Sequence, residues 1–211
     1  MKNYLTEFIG TFFLVLTVGL TVTSGTPLAP LAIGTSLMVM VYMGGHISGA
    51  HYNPAISLAL AIRGALAWAQ LVPYWVSQIA GALAAAFVVR FVTGRTFAPA
   101  PGTDVAFGVA LLIEFLFTFA LSLVVLSSAT AKKTAGNSFY GLAIGSTIVV
   151  AAFAGGPLSG GAFNPAVGLG PIVVNALSGA GDYADLWLYL VGPLLGAAVA
   201  AFVFRFQESE A

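Results

Sequence analysis

The sequence lacks cysteine and contains very little charge. Its 211 residues include no Cys, seven Lys and Arg, and seven Asp and Glu, so that only 7% of the chain is charged. Soluble domains carry about 25% charged residues. The absence of Cys excludes disulfides, thiol catalysis and Cys-ligated metals. A formal net charge of zero argues against nucleic acid as a partner, because phosphate binding requires clustered Lys and Arg.

Enzymatic chemistry also finds no support in the sequence. There is no recognisable pairing of a nucleophile with a base, and no cluster of metal-ligating residues. We therefore expect neither catalysis nor a bound metal or other cofactor.

Apolar residues are what the sequence has in excess. They make up 59% of the chain, and the mean hydropathy is +1.00. Such a chain cannot cover a globule with polar surface, so lipid must solvate most of it. A helix needs roughly 20 apolar residues to cross ~30 Å of hydrocarbon. Six stretches meet this requirement, at about residues 4–24, 28–46, 68–92, 106–128, 138–155 and 184–205. The first is predicted to be a retained helix and not a cleaved signal.

Two further apolar segments, residues 47–62 and 158–177, are too short to cross, and each contains Asn-Pro. Pro suits the first turn of a helix and Asn is a favoured N-cap, which predicts helix starts capped by Asn53 and Asn164. Non-helical backbone at membrane depth persists only inside protein or along a water-filled cavity. Each segment is therefore predicted to be a re-entrant loop followed by a half-helix. Pore-facing carbonyls are expected at Gly49, Ala50, His51, Gly160, Gly161 and Ala162.

The two halves of the sequence share a pattern. Three sets of residues recur in the same order at offsets of 107 to 115: Glu7-Phe8 with Glu114-Phe115, Asn53-Pro54-Ala55 with Asn164-Pro165-Ala166, and Tyr74 with Tyr189. Each half holds three spans, an odd number, so the second half must be inverted relative to the first. The predicted fold is an all-α membrane protein of one domain over residues 1–211. It has six transmembrane helices, two re-entrant half-helices and inverted repeats at about 1–98 and 104–211.

The inversion brings the two half-helices together at their N-terminal ends. Helix dipoles place partial positive charge at those ends, so a cation or proton at the centre is repelled. A neutral molecule with an acceptor oxygen can take hydrogen bonds from the Asn53 and Asn164 amides. The segments therefore predict a passive pore for neutral solutes.

The basic residues in the short loops predict the orientation, since cytoplasmic loops carry the excess of Lys and Arg. With a cytoplasmic amino terminus, Arg90 and Arg95 lie outside, and five basic residues lie inside: Lys2, Arg63, Lys132, Lys133 and Arg205. We expect a multi-pass protein of the cell (plasma or inner) membrane with both termini in the cytoplasm.

The motifs resemble those of the major intrinsic protein family, the aquaporins and glycerol channels. The resemblance covers essentially the whole chain, and it is carried by residues 46–55, Asn164-Pro165-Ala166, Gly170-Pro171 and residues 191–196. It implies a right-handed bundle, a homotetramer with one pore per subunit, and the partners of such a channel: membrane lipid, water and small neutral solutes.

The resemblance also implies roles for buried polar residues. Glu7 and Glu114 correspond to the family's buried glutamates, which are expected to brace the re-entrant loops by accepting backbone N–H groups. His51 is expected to be a loop brace as well. For His46 we favour a bracing role over the two alternatives, which are lining the cytoplasmic vestibule and gating it by protonation.

The chain departs from the family after the second Asn-Pro-Ala, where most members carry Arg and this sequence has Val167. Matching the motifs places the other filter positions at Ile33, Ala152 and Gly161. None of these four side chains is charged or forms hydrogen bonds, so the filter is predicted to be wide and tolerant of ammonia, urea, hydrogen peroxide or glycerol. Gly168, where glycerol channels usually carry Asp, counts against glycerol without excluding it. A wide apolar ring could also dewet and conduct water poorly.

Two other functions remain open at this stage. A secondary transporter also uses inverted repeats and broken helices, but it needs carboxylates facing the cavity, and Glu7 and Glu114 are already assigned to scaffolding. A structural membrane protein with a vestigial pore predicts long tails or loops, whereas those of this sequence are short.

Overall fold

A computed structural model describes residues 1–209. The end of the predicted domain and second repeat, residues 210 and 211, lies outside the described residues. Eight α-helices follow in chain order: α1 (Lys2–Ser24), α2 (Ala29–Ser48), α3 (Pro54–Arg63), α4 (Trp68–Thr93), α5 (Phe107–Thr130), α6 (Tyr140–Ser159), α7 (Pro165–Leu177) and α8 (Leu186–Ser209). A short 3₁₀ turn, Lys132–Thr134, lies between α5 and α6.

The predicted fold class is confirmed. Within residues 1–209, six helices are long and apolar enough to cross a membrane, and α3 and α7 are the two short apolar helices. The spans run a few residues further than hydropathy predicted, notably at the C-terminal ends of α2, α6 and α8. A helix continues until something caps it, whereas the hydropathy signal stops at the first polar residues.

Glycine ends both helices that lead into the re-entrant loops. Gly49 follows α2 with φ +88°, and Gly160 follows α6 with φ +89°. This left-handed conformation is accessible to Gly without a steric penalty. The chain therefore leaves each helix through the same sharp turn and runs back towards the middle of the protein.

Asn and Pro start both half-helices. The side chain of Asn53 accepts a hydrogen bond from the Ala55 backbone N–H, and that of Asn164 accepts one from Ala166, both at 2.9 Å. Pro54 and Pro165 occupy the first helical positions, where the missing N–H of Pro carries no cost. The loops and half-helices thus follow from local sequence.

Small residues allow the helices to approach closely. Gly34 of α2 faces Gly145 of α6, and a Cβ added to either would lie 2.5 Å from the other's carbonyl oxygen. Gly81 of α4 packs against the α1 backbone at Phe8, and Gly196 of α8 packs in the same way against α5 at Phe115. Such contacts are typical of helix packing in membranes, and they follow the repeat.

Candidate functional site

The N-termini of the two half-helices meet at the centre of the protein. The Asn53 Nδ2 donates to the carbonyl oxygen of Phe163 at 3.0 Å, and the Asn164 Nδ2 donates to that of Tyr52 at 2.9 Å. Each cap thus binds the loop that precedes the other cap. An Asn amide carries two N–H donors, so each cap can offer its second N–H to a solute.

The residue before each Asn cap has unusual backbone geometry. Tyr52 has φ +50° and Phe163 has φ +49°, a region that costs a non-Gly residue of order 1–3 kcal/mol. This conformation turns the carbonyl of each residue towards the opposite Asn. This pair was not predicted from the sequence, although its position directly before the caps was an available signal.

Glu7 and Glu114 hold these strained loops. Glu7 accepts from the backbone N–H groups of His51 (3.0 Å) and Tyr52 (2.7 Å). Glu114 accepts from those of Ala162 (3.0 Å) and Phe163 (2.6 Å). Both carboxyls are fully buried. Hydrogen bonds to a carboxylate are stronger than neutral ones and offset the backbone strain.

Side chains add further bonds to both loops. The Ser48 hydroxyl donates to Glu7 at 2.6 Å, and the Ser159 hydroxyl donates to Glu114 at 2.7 Å. The carbonyls of these two Ser residues accept from the Tyr74 and Tyr189 hydroxyls, at 2.8 and 2.6 Å. Residues that lie far apart in the sequence thus hold the loops at both ends.

His51 belongs to a polar network on the first loop. Its Nδ1 lies 3.0 Å from the Ser57 Oγ. The Gln78 Nε2 donates to that Oγ at 2.9 Å and to Glu7 at 2.8 Å. The imidazole is therefore fixed in place. Ser57 and Gln78 were not singled out from the sequence, because nothing local marks them as partners of His51.

A central cavity of about 200 Å³ surrounds the Asn pair. Five of the six residues whose carbonyls were predicted to face the pore line this cavity. They are Ala50 and His51 of the first loop and Gly160, Gly161 and Ala162 of the second. The remaining wall is aliphatic and comes from the spans and half-helices: Leu14, Val18, Leu37, Ile56, Leu121, Val125, Ile144 and Ile148, among others. These wall residues were not predicted from the sequence.

The four predicted filter residues line this same cavity. Val167 is 6% exposed, and Ile33, Ala152 and Gly161 are half-buried. Pro54, Ala55, Pro165 and Ala166 are buried behind the caps and are outside the described linings of both cavities.

The connection between α4 and α5 packs beside the second loop. The Gly102 backbone N–H donates to the carbonyl oxygen of Leu158 at 3.1 Å, and a Cβ at Gly160 would lie 2.6 Å from the Ala100 nitrogen. None of the described residues 94–106 lines the central cavity. The connection therefore contacts the second loop from outside the lining of the central cavity.

A second cavity, the vestibule, has a volume of about 840 Å³ and adjoins the first loop. Gly49 and His46 line it, together with residues of the α5–α6 connection such as Thr134 and Asn137. His46 is exposed and lines the vestibule. Within residues 1–209, no group of three or more His, Asp or Glu residues could hold a metal ion.

Comparisons with known proteins agree with this geometry. The family described as Major intrinsic protein matches residues 1–204. Aquaporin NIP1-4 of Oryza sativa subsp. japonica is 37% identical over 213 residues, covering 97% of this chain and 76% of that protein. Aquaporin NIP1-3 of the same organism is 38% identical over 217 residues, covering 97% and 73%.

A solved structure shows the same fold. The X-ray structure of the aquaglyceroporin from Plasmodium falciparum superimposes with a TM-score of 0.86 and covers 96% of this chain and 94% of that one. The two sequences are 22% identical, so this likeness concerns the fold alone.

Proposed function

Because the chain belongs to the major intrinsic protein family of membrane channels for water and small solutes, we propose that it conducts small neutral solutes passively through a wide pore whose filter has no Arg. One observation carries the proposal. The central cavity contains both Asn caps and the four filter residues, and none of its lining residues is Asp, Glu, Lys or Arg. A permeant molecule thus meets loop carbonyls, amides and aliphatic carbon.

The Asn pair supports exclusion of ions. Both half-helices begin at the cavity, with Asn53 and Asn164 as caps, so two positive dipole ends face it. Exclusion by half-helix ends is established for aquaporin-type pores, and we apply it to this chain. With Val167 in place of Arg, the exclusion of protons and cations rests on this central region.

The filter residues support a wide passage. Gly161 has φ +68°, and an added Cβ would lie 2.9 Å from the Gly156 Cα, so this position resists any larger residue. Ala152 and Val167 contribute only methyl groups. We assign ammonia, urea and hydrogen peroxide to this pore, with glycerol less favoured because Gly168 replaces the usual Asp.

The chain is a multi-pass membrane protein, as its six apolar spans and its relatives show. We further propose that it is one channel domain, that it assembles as a homotetramer, and that both termini lie in the cytoplasm at the cell membrane. The basic residues of the short loops support the orientation.

The buried carboxylates favour passive conduction over coupled transport. Transporters coordinate their coupling ions near the midplane. Glu7 and Glu114 are fully buried and accept hydrogen bonds from the re-entrant loops, and neither lines the described part of the central cavity. They are structural groups in this geometry.

The test is solute flux into liposomes that contain the purified protein, followed by stopped-flow light scattering under water, urea, glycerol and ammonium gradients. Protein-free liposomes are the reference. Val167→Arg is expected to reduce urea flux by about tenfold, which corresponds to a barrier about 1.36 kcal/mol higher. Val167→Met adds length without charge and is the matched control.

Fast flux of water and of at least one solute, reduced more by Val167→Arg than by Val167→Met, supports the proposal. Flux of water alone contradicts the wide filter. No flux from correctly folded protein contradicts an open channel and favours a structural role.

A further inference from the structure

The two cavities of the pore meet at four residues. The lining of the central cavity includes Val22 and Pro30, the filter residues, the Asn caps and residues of the first loop. The vestibule continues from there. The linings of the two cavities share four residues: Ala50, His51, Val125 and Ile144. We call these four residues the neck.

The neck is tightly enclosed. Ala50, His51 and Val125 are each 7% exposed, and Ile144 is 5% exposed. Among the filter residues, Val167 is 6% exposed and the other three are half-buried. The filter residues all line the central cavity, whereas the neck residues lie where the central cavity and the vestibule meet.

The repeat shows how the neck differs from the equivalent positions of the other half. At the offsets of the matched motifs, the neck residues Val125 and Ile144 correspond to Val18 and Ile33, which are identical residues on the other side of the Asn pair. The remaining two positions differ. Ala50 corresponds to Gly161, and His51 corresponds to Ala162. At both positions the neck carries the larger residue, Ala in place of Gly and His in place of Ala, so we expect it to be narrower than its counterpart.

The surrounding side chains keep the imidazole in the neck. His51 is bonded to Ser57 through its Nδ1, and its ring centroid lies 4.8 Å from that of Tyr74. It is the only neck residue with a polar side chain. A solute in the neck therefore meets aliphatic carbon, one fixed imidazole and the loop carbonyls.

From this geometry we infer that the neck, and not the Arg-less filter, selects solutes by size. The inference rests on the proposed channel function and adds its specificity-determining site. Molecules with the cross-section of water, ammonia or urea pass the neck. Bulkier polyols enter through the filter and reach the Asn pair, but they are retarded at Val125 and Ile144.

The repeat provides a matched pair of variants to test this inference. Ile144→Ala enlarges the neck, and Ile33→Ala makes the same change at the equivalent filter position. Water and glycerol permeability are measured for each in liposomes by stopped-flow light scattering. Ile144→Ala is expected to raise the ratio of glycerol to water permeability by about tenfold, a change of about 1.36 kcal/mol in relative barrier height. Ile33→Ala is expected to change this ratio much less than Ile144→Ala does, because the proposed filter is already wide.

A second pair guards against misfolding of a buried-site variant. Val125→Ala and Val18→Ala repeat the comparison on α5 and α1, and only Val125→Ala is expected to raise the ratio. Size-exclusion profiles in detergent establish which variants are folded. The permeability ratios are then compared for the pair in which both variants are folded.

The outcomes separate the neck from the proposed function. An equal or larger effect at Ile33 and Val18 overturns the neck while the channel function stands. If the wild-type protein conducts nothing, the proposed function fails as stated. In that case, a gain of water flux in Ile144→Ala would still support the neck as the point that blocks the pore. An absence of water flux in both neck variants, Ile144→Ala and Val125→Ala, would overturn the inference as well.

Discussion

The first loop, residues 49–53, and the second, residues 160–164, make a comparison within one molecule. They share the Gly turn, the left-handed residue before the cap and a buried Glu. Their side chains differ in kind. In the first half, His51, Ser57 and Gln78 form a hydrogen-bonded network. Their counterparts in the second half are small or apolar, namely Ala162, Gly168 and Pro193.

The two glutamates show the consequence. Glu7 accepts four hydrogen bonds, from Ser48, His51, Tyr52 and Gln78. Glu114 accepts three, from Ser159, Ala162 and Phe163. Hydrogen bonds among polar side chains thus fix the first loop. Small residues pack at the matching positions of the second half, so one backbone design is stabilised in two ways.

Loss of the glutamates tests this difference most strongly. Each buried donor left without a partner costs about 1–3 kcal/mol, so Glu7→Ala and Glu114→Ala should both be severely destabilising. Glu7→Ala should lower the stability more than Glu114→Ala does, by the cost of about one such donor. The measurement is thermal unfolding of the purified protein in detergent.

Asp104→Ala, at an exposed loop residue, is the control for removing an acidic side chain and should leave the unfolding temperature unchanged. Equal destabilisation by the two Glu variants would remove the distinction between the loops.

Packing in the second half gives a smaller effect. A Cβ at Gly168 would collide with the Cβ of Tyr189, which is fully buried. Gly168→Ala should therefore destabilise the protein by about 1–3 kcal/mol, the usual cost of overpacking. Gly108→Ala is the control, because a Cβ there meets nothing within 4 Å. Thermal unfolding compares the two, and similar midpoints would show that the second half tolerates more volume than the structure allows.

The smallest expected loss of stability concerns a hydrogen bond of the first half that the second half lacks. The Trp75 Nε1 donates to the Pro54 carbonyl at 2.9 Å, whereas the residue corresponding to Trp75 is Leu190. Trp75→Phe should cost about 1 kcal/mol, typical of one hydrogen bond. Trp187→Phe, which keeps an aromatic ring beside Phe107, is the control. An unfolding temperature that falls equally in both variants would assign the loss to aromatic packing.

The backbone of the candidate site could be predicted from local chemistry. Asn-Pro favours a capped helix start, and the apolar segments 47–62 and 158–177 are too short to cross a membrane. The partners of His51 could not be predicted in this way. Ser57 lies six residues away and Gln78 lies on another helix, and only packing brings both to the same imidazole.

The sequence by itself determined the membrane class, the six spans, the inverted repeat and the two capped half-helices, because these depend on composition, periodicity and nearest neighbours. Only the tertiary structure decided which residues line the pore together. Val18 and Val125 are the same residue, as are Ile33 and Ile144, so no local property separates them. Val125 and Ile144 lie where the two cavities meet, together with Ala50 and His51, whereas Val18 and Ile33 line the central cavity alone. This grouping exists only once the two halves have packed around the Asn pair.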